Sequence, residues 1–253
     1  MPTPGLFEGK TALITGGSKR LGRETALALA GSGAHVAIHY NRSAEAADAL
    51  AAELGDRGVR AGTFQADLDD PEGVEGLLSQ VWEAMYGVDF LVNNASIFPT
   101  GGLDEMTLDE LQWNLRVNSW APFVLTRALW RKVRDTDRRA SVVNLLDTRL
   151  VGGDLAHAPY HLSKAVLAEL TTLTALEFAP QMRVNGVAPG AVLPPEEMDE
   201  AYLKTLTDEL PLERRGYPAD IADATLYLLG AEFVTGQVIY VDGGRHIRLG
   251  GTT

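Results

Sequence analysis

The 253-residue chain contains no cysteine. This absence excludes disulfide bonds, thiolate zinc sites and a cysteine nucleophile. The five histidines include His157 and His161, which lie four residues apart, but no third protein ligand accompanies this pair. We therefore predict that the protein holds no metal ion.

Basic residues are also scarce. The chain has 22 lysines and arginines against 34 aspartates and glutamates, which gives a formal net charge of -12. A nucleic acid or an anionic membrane would have to bind against this charge, so we expect neither as a partner. The sequence has no run of 18 apolar residues and no amino-terminal signal-peptide pattern. The expected location is the cytoplasm.

Short apolar runs alternate with segments of helical period along the whole chain. Seven runs are predicted to be strands, near residues 10–15, 34–40, 59–65, 88–92, 141–146, 183–188 and 237–241. Helices are predicted over residues 20–32, 43–56, 71–86, 107–133, 159–178 and 219–229. The runs are almost continuously apolar, as in parallel strands that are covered on both faces. The pattern predicts a doubly wound α/β fold with helices on both faces of a seven-stranded sheet, in one domain over residues 1–253.

The least regular stretch of the sequence covers residues 191–216. Long loops in compact domains are usually functional, so we predict a lid or a substrate loop here. A surface connection without a chemical role is the alternative.

A glycine-rich turn follows the first predicted strand and leads into the first predicted helix. Glycine allows the backbone to approach a pyrophosphate, and the helix amino terminus supplies N–H groups and the positive end of a dipole. After a strand and before a helix, the pattern indicates a dinucleotide site. The residues expected to contact the cofactor here are Gly16, Ser18, Lys19, Arg20 and Leu21.

The end of the second predicted strand indicates which dinucleotide binds. Sites for NAD usually carry an acidic residue there for the ribose 2′-OH. This chain has Tyr40, Asn41, Arg42 and Ser43 instead. Arg42 can pair with a 2′-phosphate, Ser43 can donate to it, and Arg20 adds a second cation, so NADPH is the expected cofactor. Ser43 is also expected to cap the second helix.

Two more strand ends add expected cofactor contacts. Asp67 and Leu68 follow the third predicted strand, where they can contact the adenine. Asn94 and Ala95 follow the fourth. Ligands collect at the carboxyl edge of such sheets, so we expect these residues to lie together.

A candidate catalytic pair lies in the fifth predicted helix. Tyr160 and Lys164 are four residues apart and therefore share one helix face. A nearby ammonium group favours the phenolate, so we expect Lys164 to lower the pKa of Tyr160 and make it a usable proton donor near neutral pH. This spacing is common by chance. Asp147 strengthens the prediction because it follows the fifth predicted strand at the same sheet edge.

These motifs together resemble the short-chain dehydrogenase/reductase family. The resemblance covers residues 9–244 and includes Asn118 in the long predicted helix and the segments 183–185, 189–190 and 241–244. It implies a single-domain Rossmann-type fold, usually a homotetramer, that transfers hydride to or from a nicotinamide. It also implies cofactor contacts from Ser96, Pro189 and Gly190.

The resemblance assigns a role to each candidate catalytic residue. Tyr160 would be the proton donor, Lys164 would hold the cofactor ribose and tune the tyrosine, and Asn118 would anchor a water relay. Two positions depart from the general pattern, because Arg20 replaces the usual second glycine and Asp147 replaces the usual catalytic serine.

Both replacements resemble those of pteridine reductases, and so do segments 39–46 and 94–100. Segment 242–248 resembles the ending of bacterial dihydromonapterin reductases. The implied reaction is NADPH-dependent reduction of a pterin or dihydropterin to a tetrahydropterin. Reduction of a C=N bond needs a proton at a ring nitrogen, which an aspartate paired with Tyr160 can supply or relay. Phe98 can stack on the flat ring, and Ser96 and Arg20 can bond its polar edge and the cofactor phosphates.

Two other functions remain open. A carbonyl reductase, such as a 3-oxoacyl carrier-protein reductase, shares nearly every motif but would have to work with Asp147 in place of the serine. A nucleotide-sensing protein without catalysis is the second alternative. The presence of Tyr160, Lys164 and Asn118 argues against it, since such a protein does not need them.

The long predicted helix is rich in aromatic residues. Such residues are expected in the core or at a subunit interface. The four residues are Trp113, Trp120, Phe123 and Trp130. The tail from residue 245 is expected either to reach a neighbouring subunit or to be disordered.

Overall fold

A computed structural model describes residues 3–194, 207 and 210–250 of the chain. Within these residues, seven parallel strands form one sheet in the order β3-β2-β1-β4-β5-β6-β7. The strands are β1 (Thr11–Ile14), β2 (His35–Tyr40), β3 (Ala61–Gln65), β4 (Phe90–Asn93), β5 (Ala140–Leu145), β6 (Met182–Pro189) and β7 (Val238–Val241). The prediction of a doubly wound, seven-stranded parallel sheet is confirmed.

Helices cover both faces of this sheet. The helices are α1 (Arg20–Gly31), α2 (Ala44–Asp56), α3 (Pro71–Ala84), α4 (Leu108–Leu115), α5 (Ala121–Val133), α6 (Ala158–Glu177), α7 (Pro218–Gly230) and α8 (Arg245–Gly250). Ile14 and Ile38 pack in one core with α1, α2 and α7. Leu13 and Ala37, the alternate strand residues, pack in the other core with α3 and α5. Burial on both faces explains why the strands are continuously apolar.

The order of the strands determines where a ligand can bind. β1 pairs with β2 on one side and with β4 on the other, so the chain reverses direction across the sheet at β1. In such sheets the ligand crevice lies outside the carboxyl ends of the strands at this reversal. The predicted cofactor contacts between Gly16 and Ser96 lie at or after the ends of β1, β2, β3 or β4.

The long helix predicted over residues 107–133 contains an irregular segment. α4 and α5 are joined by a π-helical turn, Arg116–Trp120, in which one extra residue widens the backbone. A short 3-10 turn, Thr148–Leu150, follows β5, and neither turn was predicted. Trp130 stacks on Phe178 with ring centroids 4.7 Å apart.

The structure describes part of the predicted loop 191–216 and part of the tail from residue 245. Of the predicted loop 191–216, residues 195–206 and 208–209 lie outside the described residues. The tail begins with α8, which packs on its own chain: His246 stacks on Tyr240 with centroids 4.1 Å apart. Residues 251–253 lie outside the description.

The described residues show neither a membrane-spanning helix nor a metal-binding cluster. None of the helices in this part of the chain combines the length and apolar character needed to cross a membrane. The same residues contain no group of three histidine or carboxylate side chains arranged to hold a metal ion.

Candidate active site

The glycine turn follows β1 and packs directly against the start of α1. Gly16 has a φ of +59°, in the left-handed region that favours glycine. A Cβ atom on Gly22 would lie 2.3 Å from the carbonyl oxygen of Gly16. The first turn of α1 therefore touches the glycine turn, and a side chain at position 22 has no room. The close approach expected of a dinucleotide-binding turn is present.

Both polar backbone groups of Gly16 are used within the protein. Its N–H donates to Nδ1 of His39 at 3.1 Å. Its carbonyl accepts from Nδ2 of Asn94 at 3.0 Å. Asn94 also donates to the carbonyl of Thr15 at 2.8 Å, and Thr15 Oγ1 accepts the N–H groups of Asn94 and Ala95. These hydrogen bonds join the ends of β1 and β4. Gly16 contributes to the turn through its left-handed backbone conformation.

Arg20 occupies a strained position at the start of α1. Its φ is +52°, a conformation that favours glycine and costs another residue about 1–2 kcal/mol. Glycine, which has no Cβ atom, adopts this conformation without that cost. The guanidinium group donates to the carbonyl of Pro194, at the start of the predicted substrate loop. Arg20 therefore joins the glycine turn to that loop.

Two helix amino termini beside the glycine turn lack a side-chain cap. α1 has neither a capping bond from Lys19 nor an acidic residue in its first turn. Ser43 is the N-cap residue of α2, but its hydroxyl makes no capping bond to the described residues, so the prediction that it caps this helix is wrong. The backbone of Ser43 has φ -96° and ψ 55°, whereas a capping residue is usually extended.

The neighbouring helices α3 and α4 are capped. Asp70 accepts N–H groups at the start of α3, and Thr107 forms a capping box with Glu110 at the start of α4. The donors of α1 and α2 therefore remain for an anion, which a helix amino terminus binds well.

Cations lie beside the uncapped helices. Lys19 and Arg42 are exposed, and neither forms an ion pair with a described residue. Arg23, further along α1, is instead paired with Glu53 of α2. The end of β2 carries no acid, as the sequence indicated. Uncapped helices with unpaired cations fit a nucleotide that carries phosphate groups.

The remaining predicted cofactor contacts also lie at strand ends. Asp67 is exposed and accepts the N–H of Asp69 at 3.0 Å, while Leu68 is buried. Tyr40 packs partly against the core. At the end of β6, a Cβ atom on Gly190 would lie 2.6 Å from Asp242, so glycine is required for this close approach.

Asp147 and Tyr160 form the centre of the catalytic region. Asp147 directly precedes the 3-10 turn after β5, and Tyr160 lies in the first turn of α6. Oη of Tyr160 donates to Oδ2 of Asp147 at 2.7 Å. The two residues predicted to share a proton are therefore in direct contact.

The predicted effect of Lys164 on Tyr160 is wrong. Burial raises the pKa of Tyr160 well above 10, and the Asp147 carboxylate raises it further. Nζ of Lys164 donates to the carbonyl of Leu145 at 2.7 Å and lies 5.8 Å from the centre of the Tyr160 ring. Burial lowers the pKa of Lys164 to about 8, although Asp147 opposes this shift. Desolvation of the phenolate therefore has a larger effect on the pKa of Tyr160 than the lysine charge has.

Three further residues join this centre, and none of them was predicted as a catalytic residue. Nη1 of Arg149 lies 3.3 Å from Oδ2 of Asp147, and its Nε lies 2.9 Å from Oδ2 of Asp154. The same oxygen of Asp154 lies 2.9 Å from Nδ1 of His157. His157 and Arg149 hold the pKa of Asp154 below its usual value against the effect of burial. Two sequence features could have indicated these residues: an arginine two residues after Asp147, and a carboxylate three residues before a histidine.

Phe98 is surrounded by these side chains. Its ring stacks on His157 with centroids 3.9 Å apart and meets Tyr160 edge-on at 4.6 Å. The guanidinium carbon of Arg149 lies 4.7 Å from its centre. Phe98 thus lies beside the predicted proton donor, but its stacking partner in the chain is His157.

Asn118 lies in the π-helical turn and is fully buried. Its Oδ1 accepts from Ser96 Oγ at 3.0 Å and from the N–H of Ile97 at 2.9 Å. Its Nδ2 donates to the carbonyl of Ile97 at 3.1 Å and to Oγ of Ser163 at 3.0 Å. Asn118 therefore connects the segment after β4 to the residue next to Lys164.

A dinucleotide-type sheet edge joined to a tyrosine, a lysine and a carboxylate is typical of the nicotinamide-dependent oxidoreductases. Comparison with known proteins specifies the family. A family model described as enoyl-(acyl carrier protein) reductase matches residues 17–246. Versicolorin reductase stcU of Emericella nidulans is 33% identical over 94% of this chain and 96% of its own length. The 3-oxoacyl-[acyl-carrier-protein] reductase of Synechocystis is 31% identical over 93% and 96%.

Solved structures agree with this relationship. FolM alternative dihydrofolate reductase 1 from Brucella canis, complexed with NADP, is 32% identical, has a TM-score of 0.88 and is matched over 96% of both chains. A blue fluorescent protein from a metagenomic library, in complex with NADPH, is also 32% identical, with a TM-score of 0.86 over 94% of this chain and 98% of that chain. The chain belongs to the short-chain dehydrogenase/reductase family of oxidoreductases.

Proposed function

We propose that this protein is an NADPH-dependent reductase that transfers hydride to a pterin or dihydropterin and yields a tetrahydropterin. The observation that carries the proposal is the 2.7 Å hydrogen bond from Tyr160 to Asp147. A carboxylate in this place suits proton delivery to a ring nitrogen, whereas a neutral serine hydroxyl suits a carbonyl oxygen. The FolM relative is named a dihydrofolate reductase, which supports a pteridine ring as the substrate class.

The cofactor is NADPH. The solved relatives are complexed with NADP or NADPH, and this chain has cations where a selective NAD site has an acid. Lys19 and the first turn of α1 would hold the pyrophosphate, and Arg42 and Ser43 would hold the 2′-phosphate. When bound, NADPH supplies the hydride.

The proton moves between Tyr160 and Asp147. Tyr160 stays protonated at neutral pH because its pKa is raised, and it donates to the substrate nitrogen, which becomes basic once it gains negative charge. The phenolate would then lie 2.7 Å from a carboxylate, and two such anions repel. The Asp147 side chain is 15% exposed and can pass a solvent proton to Tyr160. Arg149 and Lys164 offset the negative charge.

The walls of the site support a flat aromatic substrate. Phe98, His157 and Tyr160 form an aromatic wall at the proposed proton donor, against which a flat bicyclic ring can pack. Ser96 keeps acceptor capacity at its hydroxyl because it donates to Asn118. Arg20 donates to the carbonyl of Pro194, at the start of the predicted substrate loop.

A 3-oxoacyl carrier-protein reductase is the second candidate. Proteins with this name from Synechocystis and Staphylococcus aureus are 31% and 32% identical to this chain, each over at least 93% of its length. This candidate predicts reduction of a carbonyl group, for which Asp147 has no evident advantage.

The test is NADPH oxidation at 340 nm with dihydrobiopterin, dihydromonapterin or an acetoacetyl thioester, repeated with NADH. We expect pterin-dependent oxidation with NADPH preferred. Asp147→Ser should reduce pterin turnover, while Asp135→Ser, at an exposed surface ion pair, serves as the control. Turnover of the thioester without turnover of any pterin would replace the pterin proposal with the second candidate and leave the cofactor assignment standing.

The family resemblance also implies a homotetramer of single-domain chains. Trp113 and Trp120 are 36% and 49% exposed, which supports an interface over the α4–α5 region. Light scattering coupled to gel filtration should give about four times the chain mass of 27.2 kDa, and a monomer mass would contradict this proposal.

A further inference from the structure

Through hydrogen bonds, the His39 ring contacts the segments that follow β1 and β3 in the cofactor region. His39 lies in β2 and is 1% exposed. Its Nδ1 accepts the N–H of Gly16 at 3.1 Å, and its Nε2 lies 3.1 Å from the carbonyl of Ala66, which follows β3. Its own carbonyl accepts the N–H of Gly17 at 3.0 Å. One residue therefore links the glycine turn to the ends of β2 and β3.

The partners of His39 determine its tautomer. A backbone N–H can only donate and a carbonyl can only accept, so Nδ1 is unprotonated and Nε2 carries the hydrogen. Burial lowers the pKa of His39 to about 4, and the charged group that opposes this shift is the Asp67 carboxylate. The ring is therefore neutral at physiological pH and keeps its acceptor for Gly16.

We propose that His39 is a positioning residue for the cofactor: its ring holds the glycine turn in the conformation that receives the pyrophosphate and aligns that turn with the end of β3. The inference rests on the cofactor site of the proposed function but not on the pterin substrate. Residues 66–68 include the predicted adenine contacts, so the alignment spans the adenosine half of the cofactor, from its base to the pyrophosphate.

The physical reason lies in the N–H of Gly16. This partly buried donor belongs to a turn with left-handed backbone, and His39 is its acceptor. Without that acceptor the donor is unsatisfied, which favours other conformations of the turn. Apparent affinity for a ligand falls in proportion to the fraction of molecules in the competent conformation. Loss of the His39 acceptor should therefore weaken cofactor binding, with the chemical step little changed.

His35 provides a matched control within the same strand. Its Nδ1 accepts the N–H of Arg60 at 3.1 Å. This bond likewise joins a histidine of β2 to the segment next to β3. It lies at the amino end of β2, on the opposite edge of the sheet from the cofactor region. Replacing His35 removes a comparable bond without touching the glycine turn.

Three substitutions separate the two bonds of His39. His39→Asn keeps an acceptor near the position of Nδ1, His39→Gln keeps a donor near the position of Nε2, and His39→Leu keeps neither. The measurement is the NADPH dissociation constant from fluorescence titration, together with kcat at saturating NADPH and the melting temperature.

We expect His39→Leu and His39→Gln to bind NADPH about tenfold more weakly, with kcat within about threefold of the original protein. His39→Asn should bind within about threefold of the original protein, and His35→Leu should bind NADPH normally even if it melts at lower temperature. Normal NADPH binding by His39→Leu, or binding by His39→Asn as weak as that of His39→Leu, would overturn the proposal.

A measurement on the unmodified protein covers the case in which the variants do not fold. Nitrogen-15 NMR of the histidine rings should show His39 with a proton on Nε2 and none on Nδ1 at pH 7, and slow exchange of the Gly16 amide. A proton on Nδ1 would overturn the proposal. Failure of the original protein to bind NADPH would overturn both this inference and the cofactor assignment, whereas NADPH binding without pterin turnover would affect the substrate proposal alone.

Discussion

Along the carboxyl edge of the sheet, the polar groups after β1 and β2 are partnered differently from those after β5. Lys19 and Arg42 have no ion-pair partner among the described residues, and Ser43 does not cap its helix. After β5, Asp147 instead bonds both Tyr160 and Arg149. In the first region the two cations and the uncapped helix amino termini remain for a ligand, whereas the charged groups of the second region are already connected internally.

The difference follows from what each region has to do. Groups that bind phosphate gain most when no protein acceptor competes for them. Groups that move a proton must already be in position when the substrate arrives, which requires partners within the protein. Substitutions in the first region should therefore change cofactor affinity, and substitutions in the second should change turnover.

The largest expected effect is that of Tyr160→Phe. Loss of the phenol hydroxyl removes the proposed proton donor, so kcat should fall about 1000-fold. The NADPH dissociation constant, measured by fluorescence titration, should stay within about twofold because the phenol belongs to the catalytic region. A large change in NADPH affinity would break the division between the two regions, and unchanged turnover would remove the proposed mechanism.

The second prediction concerns stability and pH in the original protein. The pKa of His39 is about 4 in the folded chain against 6.5 for an unperturbed histidine, so the unfolded chain binds more protons between these values. The free energy of unfolding should therefore fall as the pH drops from 6.5 towards 4, by up to about 3 kcal/mol from this residue. Urea denaturation at several pH values should show a weaker pH dependence for His39→Asn. Equal pH dependence in the two proteins would show that His39 does not titrate in this way.

Arg42→Gln tests the binding region. Removing the guanidinium group takes away the proposed charge-assisted bond to the 2′-phosphate, so we expect NADPH to bind about 30-fold more weakly and NADH to bind as before. Arg23→Gln is the control, since Arg23 is already paired with Glu53 and should not contribute. Equal weakening of NADPH and NADH would argue against a 2′-phosphate contact.

The smallest expected effect is that of Arg149→Gln. The guanidinium bonds both Asp147 and Asp154, and without it we expect kcat to fall about tenfold with NADPH affinity unchanged. Its removal should also raise the pKa of Asp154, which the Arg149 charge helps to lower. Partial recovery of kcat in Arg149→Lys would support the charge as the cause. Full turnover in Arg149→Gln would mean that Asp147 needs no support from this arginine.

Much of the fold and of the binding region was predictable from local patterns. The continuously apolar runs indicated parallel strands, and the observed sheet confirms them. The glycine turn and the missing acid after β2 are likewise local features. The π-helical turn that carries Asn118 was not predicted, because one extra residue in a helix leaves the apolar period nearly unchanged. Helix α8 was also missed, since six residues are too few for a periodic signal.

The catalytic region was only partly predictable. The sequence determined that Tyr160 and Lys164 share a helix face, because that follows from four residues of helical spacing. Tertiary packing decided the electrostatics: burial and Asp147 raise the pKa of Tyr160, and Lys164 bonds the carbonyl of Leu145 instead of the phenol. It also brought His39 to Gly16, 23 residues away along the chain. Residue types and spacing specify which groups can react, but desolvation and long-range contacts exist only once the chain is folded.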